Sequence, residues 1–384
     1  MTLQKRKIVI VGAGPVGCYL GQLLKRDGYS PQIIEEDSEI GRPIRCAGII
    51  GQGIFKDMEI PPSKESILNE IQGAEISYKD SSFVIKRNQV AFIIDRAVFD
   101  QSLSRGLDVA LNTKFTGLSR IGGRYKIETN KGDFTADIVI GADGPNSKVR
   151  KLAGLRGNIK LHKGLQYRIK NEQYGGELVD VQFIHPFHEF CWVIPEGNGI
   201  IRVGAISQRP HKDLENFIKE KGIKGEIVEK NGGLIPIGST AIVSENIAVV
   251  GDAACQIKPI TSGGIYYGMK SAEILAKAIR NGNLADYQKD WREKFGQEVD
   301  FCLLARGVME TLNNGTQERI FNYMKDNAHL IEQLGDFENH SSVIWGLAAN
   351  PKTYQTIGIT AFDLLRNPKF IKGTINRLKH RIFK

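Results

Sequence analysis

The sequence predicts an α/β protein with three parts: a parallel-sheet domain, a β-rich domain and a C-terminal helical region. The first observation is a short β-branched run at Ile8–Val11 that leads into a glycine turn, a helical pattern and a second apolar run at Ile33 and Ile34. This order is that of a βαβ unit. The second observation is a series of β signals separated by Gly and Pro turns from about 160 to 240. The third is a mostly helical pattern over 291–384.

The intervening segments can be placed in chain order. Residues 73–95 are strand-like, and "DRAVFDQSLSRG" is helical. A hairpin with its turn near 130–132 precedes a buried strand at 138–140. "NIAVVGDAA" is another buried strand, and "SGGIYYGMKSAEILAKAIRNG" predicts a strong helix that begins near Ser262 and stops at a glycine.

Composition limits the class of protein. The chain has 384 residues, of which 41% are hydrophobic and 25% charged, as in globular proteins that bury a sizeable core. Its 5 cysteines have no paired spacing, which argues against a disulfide framework or a zinc site and favours a reducing, cytoplasmic compartment. No apolar run is long enough to cross a bilayer. The net charge of +9 gives ordinary solubility or attraction to an anionic surface, and no motif for nucleic acid accompanies it.

A glycine pattern predicts a Rossmann-like dinucleotide site. Gly12, Gly14 and Gly17 follow a strand and open a helix, and Glu35 ends the next strand. The first glycine permits a tight turn, the second permits close approach to a pyrophosphate, and the third allows the helix to pack on the strand. The helix N-terminus supplies N–H groups for the phosphates, and the Glu35 carboxylate suits a ribose hydroxyl.

Two further turns indicate which dinucleotide binds. Asp143 in "GADGPNSKVR" and Asp252 in "GDAACQIKPITSGG" each follow a buried strand and a glycine. A carboxylate at such a position can accept hydrogen bonds from a ribitol chain. The positive end of the helix near Ser262 suits the N1–C2=O edge of a flavin. Either turn alone is an ordinary β-turn, but three turns in this order predict one bound flavin.

These motifs resemble those of the FAD-dependent geranylgeranyl reductase family, which includes the digeranylgeranylglycerophospholipid reductases and lies in a larger group with the aromatic flavin hydroxylases. The resemblance covers about the first three hundred residues. It is carried by "GAGPVG", Glu35, "RPIRCAG", "DRAVFD" with Arg96, "GADGPNSKVR", "FCWVIP" and "GDAACQIKPITSGG". The Cys-x-Gly and aromatic-x-Trp-x-x-Pro stretches point to the reductases specifically.

The resemblance implies FAD as the cofactor and a role for each matching residue. Glu35 would bind the adenosine ribose, Arg96 the phosphate or ribitol region and Asp252 the ribitol and pyrophosphate end, while Gly264 and Ile265 would meet the isoalloxazine ring. The cofactor contacts expected in this way are Gly12, Gly14, Val16, Gly17, Glu35, Arg45, Cys46, Ala47, Gly48, Arg96, Asp252, Gly264 and Ile265.

The resemblance also implies that Cys46 would lie beside the flavin on the substrate side, and Cys46 is the candidate catalytic residue. One interpretation is that it shapes the reactive face or donates a proton to the reduced double bond, with Arg45 stabilising a thiolate if its guanidinium lies close. The other is that Cys46 is only a small apolar residue that fits.

Phe190, Trp192 and Pro195 are the candidate substrate residues. Aromatic side chains at period two suit an apolar channel for a prenyl chain, although ordinary sheet core fits the same spacing. The chain departs from the family at two places here: the family often has Tyr where Phe190 stands and a basic residue where Glu196 stands. The family's cysteine region is also often one residue longer, with an acid before the glycine.

The predicted function is therefore an FAD-dependent reductase that saturates C=C bonds of a geranylgeranyl chain on an isoprenoid lipid or diphosphate. The alternatives are a flavin monooxygenase of an aromatic or lipid substrate and a non-catalytic prenyl-binding protein. Only one dinucleotide fingerprint exists, so the electron donor is expected to be ferredoxin, another reductase or transient NAD(P)H. The seven histidines lack metal-ligand spacing, and no metal is expected.

The predicted domains are discontinuous. Residues 1–72, 95–158 and 241–290 form the FAD-binding domain, 73–94 and 159–240 the β-rich substrate domain, and 291–384 the helical region. The final stretch 367–384 has apolar residues at helical spacing among basic ones. It is either a docked helix with a solvated face or a basic amphipathic helix on the inner face of the membrane.

Overall fold

The computed structural model describes residues 6–186 and 188–349. The strands are, in chain order, β1 Ile8–Val11, β2 Gln32–Ile34, β3 Ile49–Gly51, β4 Ile67–Tyr78, β5 Ser81–Ile94, β6 Asp108–Ala110, β7 Phe115–Ile121, β8 Arg124–Thr129, β9 Phe134–Ala136, β10 Ile138–Gly141, β11 Gly157–Lys170, β12 Leu178–His185, β13 Glu189–Gly197, β14 Ile200–Ser207, β15 Glu226–Thr240, β16 Val243–Ser244 and β17 Ile247–Val249. The helices are α1 Pro15–Arg26, α2 Gly53–Lys56, α3 Arg96–Ser104, α4 Lys148–Leu152, α5 Pro210–Glu220, α6 Ile265–Arg280, α7 Ala285–Met309, α8 Asn314–Asp326, α9 Ala328–Leu334 and α10 Ser341–Ala349. Short 3-10 helices span Lys64–Ser66 and Gly251–Ala254.

A six-stranded sheet carries the first part of the fold, with strand order β16-β17-β10-β1-β2-β6. All neighbours in it are parallel except β16 and β17. All four residues of β1 and all four of β10 are buried, as expected for strands covered on both faces. The α/β class with a parallel sheet is confirmed. The strands end at one edge, where the glycine and aspartate turns gather.

An eight-stranded sheet carries the β-rich part, with order β15-β11-β14-β13-β12-β4-β5-β3. Along β13, Phe190 and Trp192 belong to one apolar cluster, while Cys191 and Val193 belong to another under α5. The predicted alternation at this strand is therefore confirmed. The strand does not end at Pro195, because Pro195 pairs with Ile201 and β13 continues to Gly197.

The helices after α7 close one end of the large sheet. Tyr78 of β4 and Phe83 of β5 pack with Phe321 of α8 and Ile331 of α9 in a buried cluster. The helical part of the prediction is confirmed as far as residue 349. The predicted amphipathic helix at 367–384 lies outside the described residues. Across the described ranges, no helix has both the length and the apolar character needed to cross a bilayer.

Candidate active site

The glycine turn between β1 and α1 has the geometry that a phosphate site requires. Gly12 has φ of 105°, and a Cβ there would lie 2.4 Å from the Ala142 carbonyl oxygen. A Cβ on Gly17 would lie 2.1 Å from the Gly12 oxygen, so only glycine lets α1 pack this closely on the turn. A Cβ on Gly14 would have no described atom within 4 Å, so that side of the turn is open. The turn is therefore open where it meets the N-terminus of α1.

Val16 and Glu35 hold this turn from two sides. The Val16 side chain contacts α6 and the turn after β17, since a Cβ on Gly268 would lie 2.5 Å, and one on Gly251 3.2 Å, from its methyl group. Glu35 accepts a hydrogen bond from Ala13 N at 2.6 Å through Oε2 and from Asp37 N at 3.0 Å through Oε1. Each carboxylate oxygen retains a lone pair for a ribose hydroxyl. Glu35 thus lies against the turn, directly after β2, and its role at a ribose stays a prediction.

Residues 45–48, which we call the Cys46 strap, are held by two side chains of the large sheet. Arg202 donates from Nη1 to the Ala47 oxygen at 2.7 Å and from Nη2 to the Ile94 oxygen at 3.0 Å. Gln166 donates from Nε2 to the Cys46 oxygen at 3.4 Å. A Cβ on Gly48, which has φ of 72°, would lie 1.9 Å from Arg202 Nη1. The small residues of the strap therefore make room for a buried guanidinium.

Arg96 lies where three separate segments of the chain meet. Its guanidinium donates to Asp100 at 2.9 Å and is nearly buried. Burial alone would lower the pKa of Arg96, but the carboxylate of Asp100 and the thiol of Cys46 raise it above its ordinary value. Arg96 also acts electrostatically on Asp252. The strap, the start of α3 and the turn after β17 are consequently neighbours.

Arg45 does not supply the cation that Cys46 faces. Its side chain is 57% exposed, and its guanidinium lies 3.8 Å from Asp37. The expectation that Arg45 approaches the thiol is corrected by Arg96, which contacts Cys46 instead. The Cys46 sulfur also accepts a hydrogen bond from Gly48 N at 3.3 Å. Sequence proximity suggested the wrong arginine because the strap turns its Arg45 side chain outward.

Asp252 has an open carboxylate. It accepts no hydrogen bond from any residue in the described ranges, yet burial raises its pKa to about 6, an effect that Arg96 only partly opposes. A Cβ on Gly264 would lie 2.6 Å from Asp252 Oδ1, so the N-terminus of α6 approaches this carboxylate closely. Ile265 is the first residue of α6 and packs on the main core. A half-buried acceptor that has no partner in the described ranges and lies beside a helix N-terminus fits a ligand with hydroxyl groups.

Asp143, by contrast, is occupied by its own chain. Its carboxylate accepts hydrogen bonds from Ser147 Oγ at 2.6 Å, Lys148 N at 2.7 Å and Val149 N at 3.0 Å. It therefore caps α4 and does not offer the free acceptor that the sequence suggested. Arg150 joins the two turns, since it donates to the Ala253 oxygen at 2.6 Å and to the Pro145 oxygen at 3.2 Å.

The sequence of the chain can be compared with those of known proteins. No protein-family model matches it. An uncharacterized protein of Methanocaldococcus jannaschii is 30% identical over 365 residues, which are 88% of this chain and 93% of that one. A digeranylgeranylglycerophospholipid reductase of Methanothrix thermoacetophila is 30% identical over 337 residues, which are 76% of this chain and 84% of that one. The chain belongs to the geranylgeranyl reductase family. It is accordingly a flavin-dependent oxidoreductase.

Solved structures support the same family and fold. A geranylgeranyl bacteriochlorophyll reductase-like protein from Thermoplasma acidophilum is 25% identical, with a TM-score of 0.81 over 92% of this chain and 99% of that one. The Diels-Alderase PyrE3 is 18% identical with a TM-score of 0.66 over 85% of this chain and 78% of that one, which shows the shared fold alone.

In this member of the geranylgeranyl reductase family, an apolar cluster lies under the Cys46 strap. Ala47 packs in it with Phe190 and Trp192 of β13. The Trp192 indole N–H donates to Gln166 Oε1 at 3.0 Å, and Gln166 in turn donates to the Cys46 oxygen. The rings of Phe190 and Trp192 are 5.9 Å apart. Two of the three predicted substrate residues are therefore adjacent to the strap.

Pro195 lies elsewhere. It has the opposite parity to Phe190 and Trp192 along β13, and it lines a separate surface cavity of about 310 Å³ with Asn69 and Tyr174. The structure thus brings Phe190 and Trp192 together with the strap but does not bring Pro195 there.

Glu196, the acidic departure from the family pattern, has a structural role. It accepts hydrogen bonds from Arg202 Nε at 2.7 Å and from Arg168 Nε at 2.9 Å. Burial would raise its pKa, but Arg168 and Arg202 together lower it below the usual range. Glu196 therefore fixes the guanidinium that holds the strap. Sequence reasoning missed Arg202, Gln166 and Arg168, and the only signal was their position inside the β-rich stretch from about 160 to 240.

Within the described ranges, one group of side chains carries atoms that could bind a metal, although no metal was expected. Ligand atoms of Glu298, Cys302 and His340 lie within 4.8 Å of one another. Glu298 Oε1 accepts hydrogen bonds from His340 N at 2.8 Å, from Ser341 N at 3.2 Å and from the Cys302 thiol at 3.2 Å. These contacts tie the start of α10 to α7 without an ion. The absence of a metal stays a prediction.

Proposed function

We propose that this protein binds FAD in the crevice between the glycine turn, the Cys46 strap and Asp252, and saturates C=C bonds of a geranylgeranyl chain. The chain would be carried by an isoprenoid lipid or a diphosphate. Relatives named digeranylgeranylglycerophospholipid reductase support this substrate class. The observation that carries the proposal is Arg96, which is electrostatically coupled both to Cys46 and to the open carboxylate of Asp252.

The residues of the crevice fit the successive parts of FAD. The open side of Gly14 and the N-terminus of α1 would receive the pyrophosphate, and Glu35 the adenosine ribose. Asp252 would accept hydrogen bonds from the ribitol, and Gly264 would let the ring approach α6. When bound, the flavin supplies the hydride. The chain's own contribution is to bind, orient and shield the reactants.

The apolar cluster would orient the prenyl chain. Phe190 and Trp192 would form its wall next to the strap, and the Gln166 hydrogen bonds would fix the indole relative to Cys46. Cys46 faces the cation Arg96 and is half-buried. It would hold a proton at Sγ on the substrate side, beside the double bond that is reduced.

Purified protein tests the proposal directly. It should contain FAD, and after anaerobic reduction it should convert geranylgeranyl diphosphate or a digeranylgeranyl phospholipid into products that gain two hydrogens per bond, as seen by mass spectrometry. Products that gain oxygen, and form only in air, would identify a monooxygenase instead. Protein that binds the prenyl compound but contains no flavin would identify a binding protein.

Replacing Cys46 by Ala separates its two interpretations. A chemical role predicts a large loss of turnover with FAD retained, and Cys46→Ser should recover part of it. Turnover equal to wild type in Cys46→Ala would leave the residue a space-filling role only.

A further inference from the structure

A buried ion pair joins the two loops that border the predicted flavin ring. Lys258 lies between Asp252 and Gly264 and is 4% exposed. Its backbone N–H donates to the Gly263 oxygen at 2.9 Å. A Cβ on Gly263 would lie 2.8 Å from Lys258 Cε, so the side chain is held against the glycine loop. The ammonium group is thereby fixed close to the loop that ends at Gly264.

The partner of Lys258 comes from the segment between α9 and α10. Lys258 Nζ lies 3.1 Å from Glu338 Oε2, donates to the Phe337 oxygen at 2.6 Å and is 4.1 Å from the centre of the Phe337 ring. Phe337 packs on the apolar cluster that contains Ala47. The pair therefore also lies beside the apolar cluster that is proposed to orient the prenyl chain.

Glu338 reaches the other loop. A Cβ on Gly51, at the end of β3 just after the strap, would lie 2.2 Å from Glu338 Oε1. That oxygen is buried and has no hydrogen-bond partner in the described part of the chain. Burial raises the pKa of Glu338, Lys258 lowers it, and the carboxylates of Asp336 and Asp57 add to the rise. Apolar packing of the segment between α9 and α10 on the large sheet would not by itself require a buried ammonium, or a buried carboxylate with one unpaired oxygen.

We propose that Lys258 and Glu338 set the reduction potential of the bound flavin in opposite directions. This inference rests on the proposed function, because it requires a flavin between the strap and Gly264. Reduction by two electrons and one proton places a negative charge on the N1–C2=O side of the ring. Charges in a low-dielectric interior act strongly on such a change. Lys258 favours the reduced form and Glu338 opposes it.

The test is the midpoint potential of the flavin-loaded protein, measured by slow anaerobic reduction against a reference dye. Lys258→Met should shift the reduction equilibrium about tenfold toward the oxidised form, about 30 mV for a two-electron couple. Glu338→Gln should shift it in the reverse direction. The double variant should fall between the two. Lys258→Arg should keep the wild-type potential. Lys221→Met, which removes a cation paired with Asp180 under α5, is the distant control and should also leave it unchanged.

Several outcomes would overturn the inference. Single variants with wild-type potentials, or with shifts of the same sign, would leave the pair only a structural role. Glu338→Gln is isosteric and is expected to fold. If Lys258→Met does not fold, the predicted rise in the midpoint potential of Glu338→Gln still tests the inference. Wild-type protein without flavin would instead overturn the proposed function, whereas bound flavin with unmoved potentials overturns this inference alone.

Discussion

Asp143 and Asp252 stand in similar turns and have opposite surroundings. Both follow a buried parallel strand and a glycine, but Asp143 accepts three hydrogen bonds from the start of α4, and Asp252 accepts none from the described chain. The next residues of the chain make the difference. Ser147, Lys148 and Val149 bring donors back to Asp143, whereas α6 begins only at Ile265. A polar group that its own chain satisfies stabilises the fold, and one left open serves a ligand.

The largest expected effect is on stability, at another set of polar groups that the chain itself satisfies: Arg202 and its partners. Arg202→Met should lower the free energy of unfolding by about 3–5 kcal/mol, because buried Glu196 keeps only Arg168 of its two cations and the oxygens of Ala47 and Ile94 lose their donor. Urea unfolding monitored by circular dichroism measures it. Arg120→Met, which breaks an exposed pair with Glu245, is the matched control and should cost at most about 1 kcal/mol. Equal losses in both variants would contradict this account of the strap.

Asp143→Asn should lower the free energy of unfolding by about 1–3 kcal/mol, because an amide cannot accept all three hydrogen bonds that cap α4. Unfolding curves of the flavin-free protein give this number. The flavin affinity of the folded variant should stay at the wild-type value, which a fluorescence titration checks. A loss of affinity without a loss of stability would show that Asp143 meets the ligand after all.

Asp252→Ala should give the reverse pattern. Its loss of an acceptor for the cofactor hydroxyls should weaken flavin binding by about 1.5–3 kcal/mol, roughly tenfold to a hundredfold in Kd. The flavin-free variant should unfold at the same urea concentration as wild type or higher, since no described residue bonds to this carboxylate. Unchanged Kd in the fluorescence titration would remove Asp252 from the cofactor site.

A further expected effect is on the pH dependence of stability. Burial raises the pKa of Asp252 from 3.8 to about 6 in the folded protein, so the folded state holds this proton more tightly than the unfolded state. The stabilisation that the protonated carboxyl provides is therefore lost as pH rises from about 4 to about 6. Urea midpoints of flavin-free wild type, measured relative to Asp252→Ala, should fall across that window. A flat difference would show that the carboxylate is well solvated.

Local pattern was enough to predict much of the fold. The strand at Ile8–Val11, the turn at Gly12 and the position of Glu35 depend on short-range rules of periodicity and glycine conformation. The alternation of Phe190 and Trp192 with Cys191 and Val193 depends on the period of a strand. Such features are visible in sequence because the residues that determine them are neighbours in the chain.

Contacts between distant segments were not predictable in this way. The strap is held by Arg202, which is far away in the chain, and the local sequence of neither segment indicates this contact. Arg45 was preferred to Arg96 beside Cys46 because it is adjacent in sequence. Phe337 and Glu338 lie beyond the motifs that carry the resemblance in the sequence, and they reach the site through the packing of α7 to α10.

The contact between Gly48 and Arg202 links two positions that are 154 residues apart (202 minus 48). Any side chain at 48 would overlap the guanidinium, and any shorter residue at 202 would leave a hole under the strap. In homologues or engineered variants, substitutions at positions 48 and 202 should therefore occur together. Attempts to enlarge the neighbouring apolar cluster should alter both together, while keeping a residue at 48 that tolerates positive φ.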